Sequence, residues 1–230
     1  MPFFRGHNLF KTAAVAAGAI GLTALLWPAG ADANQLDGEP VDPPVTTKPD
    51  DNAGDAELQT VEQYNRQRLD RNRRGMSVLL GWSLVNMGAG TAGFLLSDGP
   101  TRHFHGMNAM WNVVNAIIAG FGYRDAATTD PGDGDAMDAL DDTHSFEKVL
   151  LFNAGLNTGY IAAGAFLWER GRRTGSEQLQ GFGPAVALQG LFLLGFDTTM
   201  FLLSRRHRQQ FEITVAPQLS SPGVSTTIRF

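Results

Sequence analysis

Apolar residues fall into four long blocks separated by polar stretches: Met76 to Ser97, His105 to Tyr123, Val149 to Trp168 and Pro184 to Ser204. Each runs about 19 to 22 residues, enough for a helix to cross roughly 30 Å of hydrocarbon. Asp197 is the only full charge inside them. A helix on the outside of a soluble bundle carries a charged stripe, whereas these blocks are apolar or small on every side. The pattern predicts an all-α membrane protein with four transmembrane helices (76–97, 105–123, 149–168, 184–204). Connections of about 7, 25 and 15 residues make successive helices antiparallel neighbours, an up-down-up-down bundle.

The flanks read differently. Leu58, Val61, Tyr64 and Leu69 recur at helical spacing among Gln and Arg, which predicts an amphipathic helix over 57–75 leading into the first span. Residues 34–56 hold Pro40, Pro43, Pro44 and Pro49 among Asp, Thr and Gly, the composition of a disordered acidic spacer. Ahead of it, Arg5 and Lys11 precede an apolar run from Thr12 to Trp27, then Pro28 and Ala31-Asp32-Ala33. That order is a signal peptide (1–33) with a small-x-small cleavage site; an uncleaved anchor is the other reading. Residues 205–230 form a polar tail in which Ile213, Val215, Val224, Thr226, Ile228 and Phe230 alternate around Ser220-Ser221-Pro222-Gly223, a short hairpin or coil.

Composition changes this picture little. Mean hydropathy of −0.12 averages the blocks with the polar flanks. The absence of cysteine excludes disulfide frameworks, thiolate nucleophiles and Cys-type zinc sites, and a net charge of −5 gives no reason to expect nucleic acid. Charge does complicate orientation. Export by the signal places both termini and the 25-residue connection outside, periplasmic in a bacterium. Arg66, Arg68, Arg71, Arg73, Arg74, Arg124, Lys148, Arg205, Arg206 and Arg208 would then also lie outside, against the positive-inside tendency.

Polar residues inside the blocks are the candidate site, because a charge at mid-membrane costs on the order of 2.5 to 3.5 kcal/mol on insertion scales. Counted by depth, Asn86, Asn115, Asn157 and Asp197 form one layer, one from each span. Asn112, Tyr160 and Gln189 form a shallower one, with His105 and Asn108 at the mouth. His105, Asn108, Asn112 and Asn115 share one helix face. Such a layer serves either as a cavity for a small ligand, ion or proton, or as an interhelical hydrogen-bond clamp at about 0.6 to 2 kcal/mol per contact.

Other chemistry finds less support. No histidine stands opposite His105 in another span, which excludes bis-histidine haem. The run from Asp130 to Asp135 lacks the ligand order of an EF-hand, so the acidic connection reads as a solvated flexible loop. No Ser-His-Asp order, phosphate loop or HExxH is present. No metal and no cofactor is expected, and the sequence leans away from an enzyme.

Four groups of residues carry a resemblance: Gly81-Trp82 with Asn86; Phe104-His105-Gly-Met-Asn108 with Trp111-Asn112 and Asn115; Glu147-Lys148 with Leu151-Phe152-Asn153 and Tyr160-Ile161; and Gly181-Phe182-Gly183 with Leu188-Gln189-Gly190 and Phe196-Asp197. Over residues 60–207 the chain resembles an uncharacterised family of bacterial four-helix integral membrane proteins with an N-terminal signal peptide. The resemblance implies a multi-pass protein of the bacterial cell membrane without an assigned activity. The leading expectation is a non-enzymatic structural or interaction module whose partners are the lipid bilayer and a membrane protein or a second copy. The alternatives are a small carrier using the Asn/Asp layer and a membrane enzyme centred on His105.

Overall fold

The computed structural model describes residues 51–219, with side chains from Leu58 to Ile213. Among these residues there are four helices and no strand: α1 Asp51–Leu96, α2 Gly99–Thr128, α3 Ala136–Thr174 and α4 Glu177–Leu219. The signal peptide, residues 34–50 of the expected spacer and residues 220–230 of the tail lie outside the described residues.

The helices are longer than the apolar blocks because polar turns continue them. α1 takes in residues 51–56 of the expected spacer and runs unbroken from the amphipathic stretch into the first block. α4 continues through Ile213 and Val215, which the alternation assigns to a hairpin. Arg208 pairs with Glu212 one turn on at 2.6 Å, and Phe211 is buried, so both side chains favour helix over strand there.

The acidic connection is also largely helical, contrary to the flexible loop expected. Asp135 caps α3 by accepting from the backbone N–H of Met137 and Asp138, each at 2.9 Å, while Asp138 reaches back to the Asp135 N–H. This capping box satisfies amides that would otherwise lack partners. Ala136, Ala139, Thr143 and Glu147 then recur at three- and four-residue spacing and are all buried. Gly134, at φ +85°, supplies the left-handed turn before the cap. At the opposite end, two-residue links suffice: Ser97-Asp98 joins α1 to α2, and Gly175-Ser176, with Gly175 at φ +70°, joins α3 to α4.

α1 packs along α2 and α3 along α4, each pair an antiparallel hairpin; the hairpins meet chiefly through α2 and α4. Those two run parallel, and consecutive α2 and α3 make no close backbone approach, which corrects the expectation that all successive helices are neighbours. Small residues set these contacts. A Cβ at Gly164 would lie 2.6 Å from the Gly183 oxygen and the Ala187 nitrogen, and one at Gly181 would lie 2.6 Å from His103 Cβ. By contrast Gly88, Gly155 and Gly159 face open space, so the small-residue faces they form point outward rather than into a helix seam.

α1, α3 and α4 are long and apolar enough to cross a membrane; α2, with Asn108, Asn112 and Asn115 along it, is not among them. Substituting Gly164 by Leu should overpack the α3–α4 seam by roughly 1 to 3 kcal/mol or more. Gly155→Leu, about two and a half turns earlier on an open face, should change little. Thermal unfolding of the two variants in detergent checks this, and equal losses would refute the assigned seam.

Candidate functional site

Burial along the bundle is inverted relative to a water-soluble protein. Asn108, Asn112, Asn115, Asn157, Gln189 and Asp197 are buried, while Val85, Leu95, Ile117, Phe152, Phe166 and Leu191 are exposed. A polar side chain away from water needs a hydrogen-bond partner. Here most of the partners come from neighbouring helices.

Gln189 is the hub. Fully buried on α4, it donates through Nε2 to Asn108 Oδ1 of α2 at 2.7 Å and accepts through Oε1 from the Trp82 indole of α1 at 3.1 Å. Trp82 therefore points its N–H inward and stacks on Phe192 at 3.9 Å. Asn112 donates to the Asn108 backbone oxygen at 2.9 Å, and Asn115 reaches Asn112 Oδ1 at 3.5 Å. Asn108 thus stands within the cluster rather than at its mouth. Helix α2 begins at Gly99, not His105, which puts Asn108 about 14 Å along it.

The second cluster lies two turns further along α4, about 12 Å away. There Asn157 of α3 donates to Asp197 Oδ2 at 2.7 Å, both residues being buried. No ion pair reaches Asp197 among the described residues. Asn86 donates to the Trp82 backbone oxygen of its own helix at 2.9 Å. The four residues expected in one layer are therefore divided: Asn157 with Asp197, Asn115 with Asn112, and Asn86 on its own backbone. Tyr160 meets Trp111 edge-on at 5.0 Å, and His105 fills the notch left by Gly93 on α1. Among the described residues no trio of His, Asp and Glu is placed to hold a metal.

A third polar assembly, which depth counting overlooked, forms where the helices pass beyond the apolar blocks. Tyr64 of α1 stacks between His207 and Phe211 of α4, at 4.5 and 4.1 Å, and its hydroxyl meets Thr143 Oγ1 of α3 at 2.8 Å. Arg208 forks onto Glu147, with both carboxylate oxygens 3.1 to 3.2 Å from its guanidinium. Arg68 reaches Asp142 at 3.3 Å. Of the ten cations counted against the positive-inside tendency, Arg68 and Arg208 thus face acids of the connection. Burial, reinforced by Arg71 and Arg68, pushes His207 down to about 4, and its Nε2 lies 2.9 Å from Gln67 Oε1.

A family profile described as a family of unknown function, DUF6992, matches residues 78–198. The chain belongs to the DUF6992 family. The DUF6992 segment contains every residue of the two polar clusters, from Trp82 to Asp197, and stops short of Tyr64 and His207. No curated protein and no solved structure matches the chain.

Two expectations follow for the DUF6992 clusters and the assembly beside them. Asp197→Leu should cost about 1 to 2 kcal/mol by leaving Asn157 unpaired, and Asp197→Asn, which keeps an acceptor oxygen, should cost less; chemical or thermal denaturation in detergent orders the pair. Because the folded state holds His207 below the free value, the unfolded chain binds the extra proton between about 6.5 and 4. Stability is thus fully present above pH 6.5 and falls as pH drops towards 4. Replacing His207 by Phe should flatten that part of a stability-versus-pH curve.

Proposed function

We propose that this DUF6992 protein is a multi-pass membrane protein with four spans, serving as a non-enzymatic structural or interaction module. The observation that carries this reading is the inverted burial: amides and a carboxyl paired in the centre, Leu, Val, Ile and Phe outside. In water such a surface would be an aggregation hazard; in lipid tails it is matched. α2 supports a fourth span although its composition is polar, because its asparagines turn into the bundle and Val113, Ile117 and Phe121 turn out. The signal-peptide pattern supports export, with both ends of the bundle's long polar extension on the external side.

The polar clusters act as clamps. Gln189 has its amide nitrogen and oxygen engaged by two different helices, and Asn157 is engaged by Asp197. The open small faces along Gly155 and Gly159, and along Gly88, are suited to close approach by a partner helix or a second copy. A carrier would require these same polar groups to exchange partners with a ligand.

The chain has no cysteine, so single cysteines report topology directly. With four spans, Asp98→Cys and Ser176→Cys should label with an impermeant maleimide from one side of sealed vesicles and Asp133→Cys from the other. Labelling of Asp98→Cys and Asp133→Cys from the same side would remove α2 from the membrane and overturn the four-span reading. For the interaction role, crosslinking in native membranes should trap a stoichiometric partner or dimer through α1 or α3.

A further inference from the structure

A cleft of about 540 Å³ opens between α1 and α4 at the point where the apolar blocks begin. That volume falls within the roughly 300 to 1,000 Å³ of ligand sites. Its walls change character along the helix axis. At the polar end stand Arg71 and Arg74, with Gln67 and Asp70; at the other end Val78, Phe196, Met200 and Leu203 form an apolar trough. Gly75 lets Met200 lie across the floor, since a Cβ there would be 2.6 Å from its sulfur.

The polar end holds two cations, Arg71 and Arg74, against one acid, Asp70. Arg71 Nε and Nη2 are buried and have no hydrogen-bond partner among the described residues. Buried donors left in this state are costly unless an acceptor arrives. The nearby acids are already engaged: Asp70 with Arg73 at 2.8 Å and Glu147 with Arg208 at 3.1 Å. Arg74 is exposed beside them. Arg71 and Arg74 precede Met76, the start of the apolar block, by about one and a half turns and half a turn, the depth at which headgroups lie. The trough below them stays open, with Val78 58% and Leu203 44% exposed.

We propose that this cleft binds one acidic phospholipid of the surrounding bilayer, its phosphate on Arg71 and Arg74 and one acyl chain along Val78, Phe196 and Leu203. A basic end at headgroup depth joined to an apolar trough at acyl depth matches an amphiphile with an anionic head, and matches neither a free anion nor a neutral lipid. The proposal rests on the membrane reading above.

The test is native mass spectrometry of the full chain released from bilayers of equimolar phosphatidylcholine and phosphatidylglycerol. The wild type should retain one phosphatidylglycerol, enriched at least about tenfold over phosphatidylcholine. Arg71→Gln with Arg74→Gln should abolish the enrichment. Val78→Trp, which fills the trough at an exposed position and leaves the charges intact, should do the same even if the arginine variant folds poorly. Arg124→Gln, an exposed cation outside the cleft, should retain it. Equal retention of both lipids by the wild type, or enrichment that survives both cleft variants, overturns the proposal. So does equal loss in Arg124→Gln, which would mean general surface attraction, or displacement of the lipid by millimolar inorganic phosphate, which would mean an anion site alone. Alkaline carbonate extraction of the same membranes separates the two failures. Release into the supernatant sinks the membrane reading, whereas a protein that stays in the pellet without enriching acidic lipid sinks the cleft alone.

Discussion

Gln189 sets the constraint around which the bundle is arranged. A fully buried primary amide must place both its donor and its acceptor, and here the partners are Asn108 on α2 and the Trp82 indole on α1. These bonds fix three helices in height and rotation at once, because an Asn or a Trp one residue along would face another way. Apolar contact alone discriminates poorly between registers of helices coated in Leu, Val and Phe, and in lipid it discriminates less still. The glycine seams then follow: with the register held, Gly90, Gly164, Gly181 and Gly183 fall opposite neighbouring backbone, and the helices close to short range. The Asn157–Asp197 bond adds α3 to α4 by the same logic two turns away.

The all-helical class and the positions of the four apolar blocks were legible in the sequence because length and continuous apolarity are strong signals. The shared face of Asn108, Asn112 and Asn115 was legible too, since their spacing fixes a side of any helix. Heights were not. Counting depth from block edges assumes that helices start where apolarity starts, and α2 starts at Gly99 with Pro100 in its first turn. The error moved Asn108 from the hub to the mouth and joined Asn86 to a layer in which it has no partner. Nor could spacing alone show which small face packs: Gly155 and Gly164 lie on the same helix, and only the neighbouring chain distinguishes them.

The acidic connection was misread for a different reason. Seven aspartates in a stretch suggest solvation, and that signal hid a weaker one, in which Ala136, Ala139, Thr143 and Glu147 repeat at helical spacing behind the capping pair Asp135 and Asp138. The acids that repel one another within the segment are opposed by Arg68 and Arg208 from other helices. Local charge density is a poor guide where the compensating charges are distant in sequence.

The lengths of the links distribute the molecule unevenly along its axis. At one end, α1, α3 and α4 extend well beyond the apolar blocks and interlock through Tyr64, Thr143 and Phe211. At the other, the chain turns back twice within two residues, at Ser97-Asp98 and Gly175-Ser176. Set in a bilayer, such a molecule presents the larger part of its described polar surface to one compartment, and to the other the short polar ends of α3 and α4 with Glu169, Arg170, Arg172 and Arg173. A soluble binding protein, a protease or an antibody approaching from the opposite compartment would meet two tight bends and the short arginine-bearing ends of α3 and α4, a much smaller surface to grip.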